Sequence, residues 1–102
     1  MTKVEREITV AAPPEDVWRV LADDALRRAW LQAEVDPEEV EEGRRLEFSW
    51  DRDGVGESRV EFTVDAVAEG SRVRVVETAL APAGDWGTRL SALASASALA
   101  LA

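Results

Sequence analysis

The chain contains no cysteine, histidine, tyrosine or asparagine. Without cysteine there are no disulfides and no thiolate metal sites, so a reducing, cytoplasmic compartment is the natural expectation. Without histidine, histidine-based triads and zinc sites are excluded; without asparagine, so is N-glycosylation. Any catalysis would fall to Asp, Glu, Lys, Arg, Ser or Thr, and no cofactor is expected. Basic residues are scarce as well. There are 12 Lys and Arg against 21 Asp and Glu, a formal net charge of −9. A chain this acidic repels phosphate backbones unless its bases cluster, and Arg27-Arg28 and Arg44-Arg45 are isolated pairs beside acids. Nucleic acid is therefore not an expected partner. Long apolar runs are missing too. The uncharged stretch LSALASASALALA is too short to span a bilayer, and MTKVEREITV carries charge where a secretory segment would be apolar. Abundant alanine and arginine with a single lysine fit a GC-rich bacterial genome.

What is present is apolar patterning. The 102 residues are enough for one domain, taken as 1–102, around one core. Val4, Arg6, Ile8 and Val10 alternate with Glu5, Glu7 and Thr9, which predicts a half-buried strand. In AAPPEDVW two prolines precede a helix whose first turn carries Glu15 and Asp16, where the dipole favours acids. Val17, Val20 and Leu21 follow at helical spacing. Asp23-Asp24 breaks that helix and caps a second, short one, with Leu26, Ala29 and Trp30 on one face. Residues 35–80 read as sheet: Leu46, Phe48 and Trp50 share a face, as do Val60, Phe62 and Val64, and Val73 and Val75. DRDGVGE and AEGS are the turns. From Trp86 onward, Leu90, Leu93, Ser97 and Leu101 form a helical stripe.

In this order the segments VEREITVAAPPEDVW, Trp30-Leu31, EEVEEGRRLEFSW, SRVEFT, GSRVRVVET and DWGTRLSAL resemble the helix-grip superfamily, known as SRPBCC or START-like. The similarity is greatest to its branch of homologues of the heat-shock-chaperone ATPase activator. The resemblance implies an α+β helix-grip fold. A curved antiparallel sheet of about four or five strands would wrap a long C-terminal helix, with two short helices after the first strand. It implies the strand order first strand, 71–79, 59–67, 44–50, 38–41. Relatives carry a further β-hairpin where QAEVD stands here, which implies a shortened sheet and a smaller cavity. They bind lipids, sterols, polyketides or other apolar molecules, some catalyse cyclisation, and one branch assists a chaperone.

The acidic run EVDPEEVEE reads as a solvated turn and strand edge rather than a cation site, and DRDGVGE lacks the ligand spacing of a calcium loop. The aromatic residues Trp18, Trp30, Trp50, Trp86, Phe48 and Phe62 read as core or as the wall of a pocket. If a cavity lies between sheet and last helix, its walls are Phe48, Trp50, Phe62, Val64, Val75, Leu90 and Leu93. Arg6 and Glu77, the two inward-pointing charges, then stand at one end. Pairing the first and last strands with residue numbers summing to 83 would set Arg6 opposite Glu77 as an ion pair. Such a pair makes a poor acid and base, because arginine holds the glutamate ionised. The expected function is binding of an apolar small molecule, without catalysis. The alternative is a non-enzymatic interaction or chaperone-assisting module with a filled core. The expected state is a monomer or weak homodimer, because Glu38, Glu39, Glu41 and Glu42 repel an edge-to-edge partner.

Overall fold

The computed structural model describes residues 2–31, 35, 37–52, 56–79 and 86–100. Strand β1 (Thr2–Val10) leads into helices α1 (Pro14–Ala22) and α2 (Asp24–Leu31). Strands β2 (Glu38–Glu41), β3 (Arg45–Arg52), β4 (Gly56–Val67) and β5 (Gly70–Ala79) follow, and helix α3 (Trp86–Ala100) ends the fold. The five strands form one antiparallel sheet in the order β1-β5-β4-β3-β2, as the resemblance implied.

Alternation in the strands produces a dry inner face. Leu46, Phe48 and Trp50 of β3, Val60, Phe62 and Val64 of β4, and Val73 and Val75 of β5 are buried there. They form one cluster with Val17, Val20 and Leu21 of α1, Trp30 and Leu31 of α2, and Trp86, Leu90 and Leu93 of α3. Trp18 is half-buried against the same cluster. The expected α3 stripe is observed through Ser97, which is buried and donates to the Leu93 carbonyl. Leu101 and the turn at 53–55 lie outside the described residues.

Asp23 does separate α1 from α2: its amide donates to the Arg19 carbonyl, and its Oδ1 accepts the Leu26 amide at 3.0 Å. The buried face of α2, however, is Arg27, Trp30 and Leu31. Leu26 and Ala29 are exposed. The period was right and the phase was wrong by one position. Arg27 turns inward to the carbonyls that end α1.

The register of β1 on β5 also differs from expectation. Paired numbers sum to 81, so Arg6 lies opposite Val75 and Glu77 opposite Val4. A two-residue slip keeps every side chain on its face, so alternation alone cannot choose between the two registers. The choice is made where β1 leaves the sheet. Gly70, at φ +137°, lets the β4–β5 turn approach that segment so closely that a Cβ would stand 2.4 Å from the Val10 carbonyl oxygen. Ser71 Oγ then donates to the Ala12 carbonyl at 2.6 Å. These contacts pin Val10 against Ser71 and set the rest of the ladder.

Candidate functional site

The centre of the inner face is aromatic. Phe62, on the middle strand β4, is fully buried and meets three other rings. Trp30 of α2 stands edge-on at 5.6 Å between centroids, Trp86 of α3 edge-on at 5.8 Å, and Phe48 of β3 stacks at 6.1 Å. Trp50 completes the group, 5.8 Å from Trp86 and 6.5 Å from Phe48. Edge-to-face rings at these distances add attraction beyond the area they bury. Trp30 is locked by its Nε1, which donates to the Val20 carbonyl at 3.0 Å.

Glu77 belongs to the same face and is fully buried. Its Oε1 accepts a hydrogen bond from Trp86 Nε1 at 2.9 Å. An indole N–H inside a protein needs an acceptor, and Glu77 supplies it. The bond fastens the first turn of α3 to β5. Above it, the Arg89 guanidinium carbon stands 4.8 Å from the Trp50 ring centroid and 5.7 Å from that of Trp86.

The structure thus brings together most of the residues read as cavity wall. Phe48, Trp50, Phe62 and Val64 share one cluster with Val75, Leu90 and Leu93, and Glu77 reaches that cluster through Trp86. Arg6 does not join them. It is exposed, its Nη1 donates to the Glu5 carbonyl at 2.7 Å, and the expected Arg6–Glu77 ion pair is replaced by the glutamate–tryptophan bond. Trp86 and Arg89 were not among the expected ligand-binding residues. A signal for Trp86 was available: a tryptophan opening the last helix needs an acceptor, and one inward carboxylate stood nearby in sequence. The wall is also tight. Phe62, Val75, Glu77 and Leu93 each have 0% of their surface exposed.

The outer face is different chemistry. Charged side chains form ion pairs across the strands: Arg45–Glu61 at 2.8 Å, Arg59–Glu47 at 2.7 Å and Arg44–Asp65 at 3.2 Å. Burial pushes the Glu61 carboxyl up. Its hydrogen bonds with Arg45 and Glu47 and the charges of Arg45 and Arg59 outweigh that, leaving it below the usual carboxylate range. The Arg44 guanidinium is held above its usual value, first by Asp65 and then by Glu41. In the acidic run, Glu38, Glu41 and Glu42 are exposed, while Glu34 and Asp36 lie outside the described residues. Among the described residues no group of three acids is placed to hold a metal ion, and no helix is long and apolar enough to cross a membrane.

A family model described as polyketide cyclase / dehydrase and lipid transport matches residues 1–45. That span holds β1, α1, α2 and β2, and it ends before most of the aromatic cluster. Solved structures extend the likeness over nearly the whole chain. Protein MLL2253 from Mesorhizobium loti superposes with a TM-score of 0.79 at 20% identity, covering 93% of this chain and 96% of that one. CalU16 from Micromonospora echinospora gives 0.68 at 19% identity, covering 93% of this chain and 74% of its own. DynU16, a protein in the dynemicin biosynthetic locus, gives 0.74 at 23% identity over 91% of this chain but 46% of its own length. At these identities the shared property is the fold. No curated protein matches the chain.

Proposed function

We propose that residues 1–102 act as one domain that binds an apolar, ring-bearing small molecule between the inner face of the sheet and the first turn of α3. The observation that carries this reading is the Glu77–Trp86 hydrogen bond at the centre of a five-ring cluster. A core built for stability alone gains little from a buried carboxylate, whose desolvation is costly. A binding site gains a fixed polar group that orients what enters. The partial match to polyketide cyclase / dehydrase and lipid transport proteins, and the likeness to one protein of a biosynthetic locus, support the same class of ligand. Because the wall side chains are closely packed, the ligand would enter by displacing the Trp86 indole and taking its place against Glu77. The short connection between α2 and β2, where the resemblance expects another hairpin, suits a small ligand.

One observation favours a second reading. The fully buried state of Phe62, Val75 and Leu93 is what a filled core shows, as an interaction module like the chaperone-activator homologues would have. Titration with a fluorescent apolar probe separates the two. A binding domain gives a saturable signal with a shift in tryptophan emission as Trp86 leaves Glu77. Phe62→Trp, which adds volume at the centre of the cluster, abolishes that signal while the protein still unfolds cooperatively. A folded parent that binds no apolar probe leaves the interaction module as the function.

A further inference from the structure

The two edges of the sheet are built differently. β2 is short and its ladder on β3 is interrupted, whereas β1 pairs with β5 over its whole length in unbroken register. Among the described residues β1 has no strand on its other side. Backbone groups of successive residues point alternately to the two sides of a strand. The Val10 carbonyl oxygen is turned to Gly70 of β5. The groups of Ile8, Arg6 and Val4 therefore face β5 too, and those of Lys3, Glu5, Glu7 and Thr9 face outward. The outward Glu5 carbonyl accepts from the Arg6 side chain at 2.7 Å. The inner face is also less covered at this edge. Val4 and Ile8 are half-buried and Arg6 between them is exposed, whereas their neighbours across the ladder, Val73, Val75 and Glu77, are fully buried. On the outer face Lys3, Glu5 and Glu7 are exposed, and a notch of about 220 Å³ is lined by Glu5, Arg6, Glu7 and Arg74.

We propose that the β1 edge docks an extended segment of another protein, apolar on one face and basic on the other, added antiparallel as a further strand. Its main chain bonds the outward amides and carbonyls, and its alternate side chains supply the selection. On the inner face its apolar residues cover Val4 and Ile8. On the outer face its lysines or arginines stand opposite Glu5 and Glu7. The present partners of those acids, Lys3 at 3.3 Å and Arg74 at 4.0 Å, form exposed pairs of little strength. The chain's charge of −9 also draws a basic segment before contact. A second copy is the poorer occupant, because it brings the same Glu5 and Glu7 and the same net charge. Docking at this edge is independent of any ligand held at the aromatic cluster.

The peptide acetyl-Thr-Val-Lys-Val-Lys-Val-Glu-amide sets valines opposite Ile8, Arg6 and Val4, lysines opposite Glu7 and Glu5, and glutamate opposite Lys3. Calorimetry near neutral pH is expected to show saturable binding that persists at about 0.15 M salt. The charge-reversed peptide acetyl-Thr-Val-Glu-Val-Glu-Val-Lys-amide should bind about tenfold more weakly. Glu5→Lys/Glu7→Lys should exchange the two preferences. A second measurement needs no variant. N-methylation of the two lysine amides, which face β1, should abolish binding, while N-methylation of the valine amides, which face away, should leave it. Equal binding of the two peptides overturns the basic partner, and equal loss from both methylation patterns overturns strand addition. Binding of neither peptide, or a parent that pairs with itself through β1 in sedimentation velocity, overturns the proposal as a whole.

Discussion

At the scale of single residues, Arg27 shows how a charged side chain can hold two helices together. It is 4% exposed, and its guanidinium donates to the carbonyls of Leu21 and Ala22 at 3.1 Å each. Those carbonyls belong to the last turn of α1, where no helical amide remains to satisfy them. The same head group bonds Asp24 and reaches the Val35 carbonyl at 3.4 Å. A positive charge at a helix C-terminus also complements its dipole. Arg27→Met keeps the aliphatic stem but strips the donors from these carbonyls. It should lose about 3 kcal/mol of stability, read as a lower urea midpoint. Arg27→Lys should recover only part of that, because an ammonium cannot fork between neighbouring carbonyls. The role was hidden in the sequence for a definite reason. Hydrophobic periodicity scores an arginine as solvent-facing, and nothing local announces that the preceding helix ends unsatisfied beside it. Glu77 was legible in the opposite sense. Its parity with Val73 and Val75 placed it inward, and it is inward. Its partner was misassigned because two registers satisfy that parity equally.

At the scale of elements, the first turn of α3 joins a buried anchor to an open position. Trp86 anchors it, but the next residue, Gly87, is exposed and has nothing within 4 Å of where a Cβ would be. Glycine in a helix keeps the unfolded alternatives open and favours fraying. Release of the Trp86 indole through this turn, as the proposed binding requires, would leave Leu90 and Leu93 in the core. Gly87→Ala should therefore raise stability by about 0.5 kcal/mol, seen as a slightly higher melting temperature. If opening of this turn admits the ligand, the same variant should slow probe association in stopped-flow measurements. Unchanged association with raised stability would place the entry route elsewhere. Strand identities and their order were readable here because alternation with β-branched and aromatic residues is a strong, local signal. The β1 register was not, because it depends on Gly70 and Ser71 meeting Val10 and Ala12 across the fold. No pattern within either segment records that meeting.

At the scale of the whole molecule, the open question is what keeps the sheet from growing. Among the described residues β2 pairs with β3 alone and is the last strand of the order, so its outer backbone groups face away from the sheet. An edge of this kind is a template for a second chain. Three features oppose that. The strand has four residues, its ladder is interrupted between Glu39 and Glu41, and Glu38, Glu41 and Glu42 are exposed along it. Two copies meeting edge to edge about a two-fold axis would bring these carboxylates face to face on chains that each carry −9. Val40, 45% exposed on the same strand, supplies a modest apolar attraction against that repulsion. Repulsion should win near neutral pH and low salt, leaving the parent monomeric in sedimentation velocity. Any dimer should use a helix surface, with this edge in water. Glu38/Glu41/Glu42→Gln removes the charge and keeps the side-chain shape. It should associate at concentrations where the parent does not, and raising salt should move the parent part of the way toward the variant, since exposed charges are screened. A parent already paired through β2 under these conditions would show that edge charge does not set the limit of the sheet.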